Sequence, residues 1–171
     1  LVAAVNEFIG IAYDTGQDRV VILWTELTSR ALYMTAGEVS GSSITWGTSV
    51  LIFSAIDSGA VYDLTYHSAG NCILYCFEYS TTVYAGVATL SGSTITDNSG
   101  SRASVSEGVT WMNAVYDATN SKTLIYAKDD TTPTNVGICW AVTVSGTTPT
   151  FSSSYAWTGS TGLDVANAVH D

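Results

Sequence analysis

Basic residues are nearly absent. Five Lys and Arg stand against 15 Asp and Glu, a formal net charge of −10 over 171 residues. A protein that grips nucleic acid needs cationic side chains to displace counterions from phosphates. An anionic bilayer surface makes the same demand. Nucleic acid and membrane are therefore not expected partners. No apolar run approaches the ~20 residues a spanning helix requires. No basic segment followed by an apolar stretch marks a leader peptide. The chain opens on Leu1 rather than Met, so a processed or excised product is expected, which leaves room for an upstream signal already removed. Lys and Glu, the usual helix fillers, are scarce, and Pro occurs only twice. Cysteine is limited to Cys72, Cys76 and Cys139. On a strand, Cys72 and Cys76 share a face roughly 13 Å apart, too far for a disulfide. Neither a CxxC nor a His-x-x-x-His spacing occurs, so the cysteines read as small buried hydrophobes rather than metal ligands, and no cofactor is expected.

What remains is rich in Ser, Thr and Gly, with Val, Ile, Tyr and Trp between them. The 46% apolar and 11% aromatic content is not that of a disordered chain, and the residue types favour strands and turns. The dominant signal is repetition. The segment Tyr13–Trp24 returns as Tyr66–Phe77 and Tyr116–Ala127, at offsets of 53 and 50 residues. A second marker, Val39-Ser-Gly-Ser-Ser-Ile-Thr45, returns as Leu90–Thr96 and Val144–Thr150, at offsets of 51 and 54. Two markers in step define three units, approximately 5–57, 58–107 and 108–161. Residues 162–171 form an extra first strand, because Ala166–Asp171 matches Met112–Asp117.

Each unit reads as four strands. In the first they cover about Glu7–Tyr13, Arg19–Thr25, Ala31–Val39 and Ser43–Phe53. The Val20–Trp24 run is continuously apolar, as a strand covered on both faces should be. Asp14–Asp18 and Ser40-Gly41 carry turn chemistry. No segment has a sustained helical period. The fold class expected is all-β: three tandem four-stranded antiparallel units, each of the length of a β-propeller blade, plus one strand.

The Tyr13-Asp14 hairpin and the Val39-Ser40-Gly41 marker, with their counterparts, resemble tandem repeats of bacteriophage tail-fibre and environmental bacterial surface proteins. These repeats are taken to form propeller blades. The resemblance covers nearly the whole chain. It implies a structural repeat module of an extracellular or virion appendage, and specifies no activity. Unit two departs from it, with His67 in the Asp column and Asp97-Asn98-Ser99 where an aromatic is usual.

Three blades are too few to close a ring, so apolar faces and strand edges are left over. The expected partners are other copies of the chain, in a ring or a filament, or further blades of a longer chain. The last strand, with Leu163, Val165, Ala166, Ala168 and Val169, is the expected assembly strand, able to complete a neighbouring sheet by strand addition. No catalytic constellation is expected. His67 and His170 read as surface or turn residues with no orienting carboxylate. The Asp14-x-Gly-x-Asp18 turn is not repeated with its carboxylates, so it reads as a turn rather than a Ca²⁺ loop. Arg19, Arg30 and Arg102 fall in different columns, which argues against an arginine clamp. Trp24 and Trp111 read as core. Trp46, Trp157 and Tyr155, near strand ends, are the candidates for stacking on surface glycans, the alternative function. No Asn-x-Ser/Thr sequon occurs, while abundant Ser and Thr leave O-glycosylation open.

Overall fold

In the computed structural model, residues 5–129 and 136–157 are described, with side-chain surroundings given from residue 10 to residue 156. The chain is all-β. Its three antiparallel sheets follow one another in sequence, and no barrel closes. Sheet 1 holds β1 (Val5–Asp14), β2 (Arg19–Glu26), β3 (Leu32–Ser40), β4 (Ser43–Trp46) and β5 (Val50–Phe53). Sheet 2 holds β6 (Tyr62–His67), β7 (Cys72–Tyr79), β8 (Thr82–Ser91), β9 (Thr94–Asp97) and β10 (Ala103–Val105). Sheet 3 holds β11 (Val109–Asp117), β12 (Lys122–Asp129), β13 (Gly137–Ser145), β14 (Thr148–Phe151) and β15 (Tyr155–Trp157).

One expectation is corrected. The fourth strand of a unit is not continuous. It breaks at 47–49 in sheet 1, and both halves, β4 and β5, pair with β3. Gly47 marks the break. A Cβ there would stand 2.4 Å from the Ser93 carbonyl oxygen of the next sheet, and the Gly47 N–H turns to the Ala36 carbonyl at 2.8 Å.

Register assigns every side chain to a face, because successive residues of a strand point to opposite sides. Val21, Leu23, Leu32, Met34, Ala36 and Ile52 of sheet 1 share one core with Tyr62, Leu64, Ile73, Tyr75, Phe77 and Ile95 of sheet 2. The other face of sheet 2, with Leu74, Cys76, Val83 and Ala85, shares a second core with Ile125, Ala127, Ile138, Trp140 and Val142 of sheet 3. Sheet 2 is therefore the filling of a three-layer stack. Strand β7 shows it directly, with Cys72 to Glu78 all buried.

The first strands meet along one side of the stack, β1 beside β6 and β6 beside β11. Each is hydrogen-bonded on one edge only. At the ends of these strands a staple recurs. The Tyr13 hydroxyl donates to Asp18, and the Tyr66 hydroxyl donates to Asn71 Oδ1 at 2.8 Å. In the third unit Tyr116 and Ser121 interact across the same spacing, with the tyrosine oxygen as acceptor. Asp18, Asn71 and Ser121 have φ of 56°, 47° and 52°, the left-handed region that short polar side chains tolerate best. The five-residue spacing thus fixes each hairpin tip against its own leading strand.

Candidate functional site

Among the described residues, seven large apolar side chains are notably exposed. Five of them, Ile11, Tyr13, Val39, Ile44 and Leu51, lie on the outward face of sheet 1, as the register Ile11↔Ile22, Val39↔Ile44 and Tyr33↔Leu51 requires. The repeat supplies an internal control. Ile44 is 44% exposed and its counterpart Ile95 is 5%; Ile11 is 65% exposed and its counterpart Leu64 is 3%. Nothing in these residue types differs. Sheet 2 has a sheet in front of this face, and sheet 1 has none among the described residues. At the far end of the stack, the outward face of sheet 3 carries Leu124, Tyr126, Cys139 and Tyr155, the last 74% exposed.

The two internal interfaces show what holds such faces together besides apolar contact. Between sheets 1 and 2, Arg19 Nε donates to Ser93 Oγ at 3.2 Å, and the Gly92 N–H donates to Gln17 Oε1 at 3.0 Å. Arg102 is the central clamp. Its Nε donates to the Tyr75 hydroxyl at 2.8 Å, and its Nη2 donates to the Ile52 carbonyl of sheet 1 at 2.6 Å and to Asp97 Oδ2 at 2.7 Å. The guanidinium also lies 5.7–5.9 Å from the rings of Phe53, Tyr75 and Phe77. The pair is largely withdrawn from solvent, with side chains 13% and 9% exposed. Asp97 occupies the column of Trp46 and Phe151. A buried ion pair therefore replaces the aromatic in unit two, which accounts for its departure from the pattern.

Between sheets 2 and 3, Asp63 Oδ2 accepts the Ala114 N–H at 2.8 Å, and the Tyr116 hydroxyl accepts the Ala69 N–H at 3.1 Å. His67 Nδ1 lies 3.2 Å from Thr123 Oγ1, with the Tyr116 ring edge-on at 4.5 Å. His67 is only 2% exposed, which corrects the surface reading: the turn end it occupies is covered by the next sheet. Burial lowers its pKa below 6.5. His170 lies outside the described residues.

The Asp14 turn behaves as turn chemistry predicts. Asp14 Oδ1 accepts the Gly16 and Gln17 N–H groups, and Asp117 Oδ1 accepts those of Thr119 and Asn120. Asp14 Oδ2 is buried with no hydrogen-bond partner among the described residues. The column that gives His67 its Thr123 holds Ile73 one unit earlier, so the matching hydroxyl is missing there. No group of three His, Cys, Asp or Glu side chains stands close enough to hold a metal ion among the described residues. All three cysteines are free thiols. Burial pushes Cys72 up to about 11 and Cys76 well above the ordinary thiol value. Arg19 pairs with Glu38 at 3.2 Å and Arg30 is exposed, so the three arginines serve three different settings.

Two of the proposed glycan residues, Trp46 and Tyr155, are not brought together. Trp46 is half-buried over Gly37, where an added Cβ would stand 2.7 Å from the indole. It lies on the outward face of sheet 1, and Tyr155 on that of sheet 3, at opposite ends of the stack. The Trp157 side chain and the strand with Leu163, Val165, Ala166, Ala168 and Val169 lie outside what is described. Trp24 is buried, and Trp111 packs on Tyr126 with ring centres 5.4 Å apart.

A concavity of about 420 Å³ opens where the three leading strands meet. Ile11–Tyr13, Asp63–Tyr66 and Ala114–Tyr116 line it, the same columns from each unit. Sequence reasoning missed it, although the aligned tyrosines signal it. Asp63 supplies the one carboxyl of the lining, and burial raises it from 3.8 to about 6. Gly10, in its column, makes room: a Cβ there would be 2.6 Å from Leu64 Cδ2 and 3.3 Å from Asp63 Oδ1. No helix of the described residues is long and apolar enough to cross a membrane. No protein-family model, curated protein or solved structure matches the chain.

Proposed function

We propose that the chain is a non-enzymatic structural module that assembles by stacking sheet on sheet, the outward face of sheet 1 receiving the outward face of sheet 3 from a second copy. One observation carries this reading: the same repeat columns are buried in sheet 2 and exposed in sheet 1. Burying a Leu or Ile side chain contributes about 1.5–3 kcal/mol, so a face with five such exposed groups favours a partner of the same shape. The internal interfaces supply a template for that contact. An extracellular or virion appendage is the setting that the repeat resemblance favours.

Chemistry is disfavoured by the one His–hydroxyl pair available. His67 and Thr123 are both buried, out of a substrate's reach, and the ring's hydrogen-bond partner among the described residues is a hydroxyl, not a carboxylate. The glycan-binding alternative is weakened by the separation of Trp46 and Tyr155.

Sedimentation velocity and electron microscopy over a concentration series test the proposal. Wild-type chain is expected to form head-to-tail oligomers or filaments. Ile44→Asp and Leu51→Asp, on the open face, should leave a monomer with an unchanged melting temperature. A wild-type chain that stays monomeric at high concentration refutes self-stacking and transfers the open faces to further units of a longer chain.

A further inference from the structure

We propose that the concavity between the three leading strands is a binding site for a small organic ammonium ion, with Asp63 as its counter-charge and the tyrosine column as its wall. The site runs along the leading-strand side of the stack and shares Ile11 and Tyr13 with the open face of sheet 1.

The argument begins with charge. Asp63 is half-buried, and neither ion pair among the described residues includes it. All five basic residues of the chain are described, and none contributes to the electrostatics of Asp63. Burial dominates there, opposed only by the backbone N–H groups of Ala114 and Leu64. A carboxylate withdrawn from water without a cation is costly, and perturbed acids in concavities are where ligands bind. The repeat offers neutral solutions at this position, Gly10 and Asn113, and unit two carries an acid instead.

The lining sets the class of cation. One carboxyl cannot satisfy a hard divalent ion, which takes six or more oxygens. A neutral sugar leaves the carboxylate uncompensated. Besides Asp63 the wall carries Ile11, Leu64, Val115 and the rings of Tyr13, Tyr66 and Tyr116, with Thr65 and polar backbone between them. Ile11 and Tyr13 are exposed, at 65% and 51%, at the rim shared with the outward face of sheet 1. The tyrosine hydroxyls are already engaged by Asp18, Asn71 and the Ala69 N–H. The rings are thereby pre-set, and their π surfaces are what is left to offer. Aromatic surface beside a carboxylate suits an alkylated ammonium. The volume fits a small molecule, and a net charge of −10 concentrates cations nearby.

Two phenols and a thiol near Asp63 are held in the neutral form. Tyr13 and Tyr66 are raised from 10.0, and Cys76, on the paired strand, is raised as well. Tyr116 is lowered by its hydrogen bonds with Ser68, Ala69 and Ser121. Tyr126 reaches the neighbouring Asn113 at 3.3 Å. His67 lies on the same strand face, roughly 13 Å along, and Asp14 and Asp117 cap the more distant turns.

The probe is choline, against its neutral isostere 3,3-dimethylbutan-1-ol, titrated into the full chain by calorimetry and followed by NMR of the Asp63 carboxyl. At pH 8 choline is expected to bind saturably and about tenfold tighter than the alcohol. By linkage it should lower the Asp63 midpoint from about 6 by about one unit, since a tenfold preference for the ionised form equals one unit. Asp63→Asn should reduce choline to the level of the alcohol. Equal binding of the two compounds, no saturable binding, or an unmoved Asp63 midpoint overturns the proposal. Should Asp63→Asn fail to fold, the wild-type midpoint shift still decides.

Discussion

The Arg102 clamp allows a quantitative test of what holds two sheets together. Arg102→Ser removes a guanidinium that meets the Tyr75 hydroxyl, the Ile52 carbonyl and Asp97 at 2.6–2.8 Å. Asp97, 9% exposed on its side chain, keeps the Tyr75 hydroxyl at 2.5 Å but loses its counter-charge. Breaking one side of a buried pair costs about 3–5 kcal/mol, and three ring contacts are forfeited besides. Asp97→Phe alone strands the cation with a similar penalty. The double substitution copies what the repeat does elsewhere: Phe151 stands in the Asp97 column, and strand pairing places Ser49 and Ser154 in the Arg102 column. Replacing a whole buried pair by packed apolar groups is often neutral or stabilising. The double variant should therefore fall within about 1–2 kcal/mol of wild type, with a coupling of at least about 2 kcal/mol in the cycle. Urea unfolding of the four proteins, followed by circular dichroism, measures it. A double variant as unstable as the sum of the singles would refute the account of Asp97 and Arg102 as one substitution for an aromatic.

Other outcomes follow from the same geometry. Ile95→Ala should cost about 2–4 kcal/mol and its counterpart Ile44→Ala under about 1 kcal/mol in the monomer, read from paired urea midpoints; equal losses would mean that sheet 1 is covered too. Asp63→Asn should stabilise the unliganded chain at pH 8 by up to about 3 kcal/mol, the worth of about two pKa units. The gain should vanish as pH falls through 6 toward 3.8, where the native carboxyl already holds its proton, and melting temperatures across that range report it. His67 acts with the opposite sign. Its lowered pKa means the unfolded chain binds the proton first, so its contribution is complete above 6.5 and is lost as pH falls below that value. His67→Gln, which keeps a group able to bond Thr123, should flatten the acid limb of the stability profile. A thiol-reactive dye at pH 8 should label half-buried Cys139 before Cys72 and Cys76, with mass spectrometry of the peptides giving the order.

Much of the architecture was legible because the repeat made three independent readings of each strand. The hairpins around Asp14 and Asp117 could be read from turn chemistry. The unbroken apolar run Val20–Trp24 reads as covered on both faces, whereas Val20 and Ile22 are half-buried and full two-sided cover is found in its counterpart β7. The break at 47–49 was not, since Val50–Phe53 continues an apolar pattern and only the approach of Ser93 from the next sheet explains why the chain turns there. His67 was misjudged because its neighbours in sequence are turn residues, whereas the side chain that covers it is Thr123, 56 positions away. The concavity was missed for a related reason. Its tyrosines were noticed as alignment markers, and their convergence depends on how three leading strands pack side by side.

The stack has a direction. Its two ends are different surfaces, one with Ile11, Ile44 and Leu51 and the other with Leu124, Cys139 and Tyr155, so copies joined through them form a vectorial chain with unlike termini. Growth at one terminus is then chemically independent of growth at the other. A copy carrying Ile44→Asp keeps an intact sheet 3 face. It can join a growing array by that face and then offer the next copy nothing to join. In the proposed assembly such a variant would be a chain terminator, and trace amounts mixed with wild type would set its length distribution.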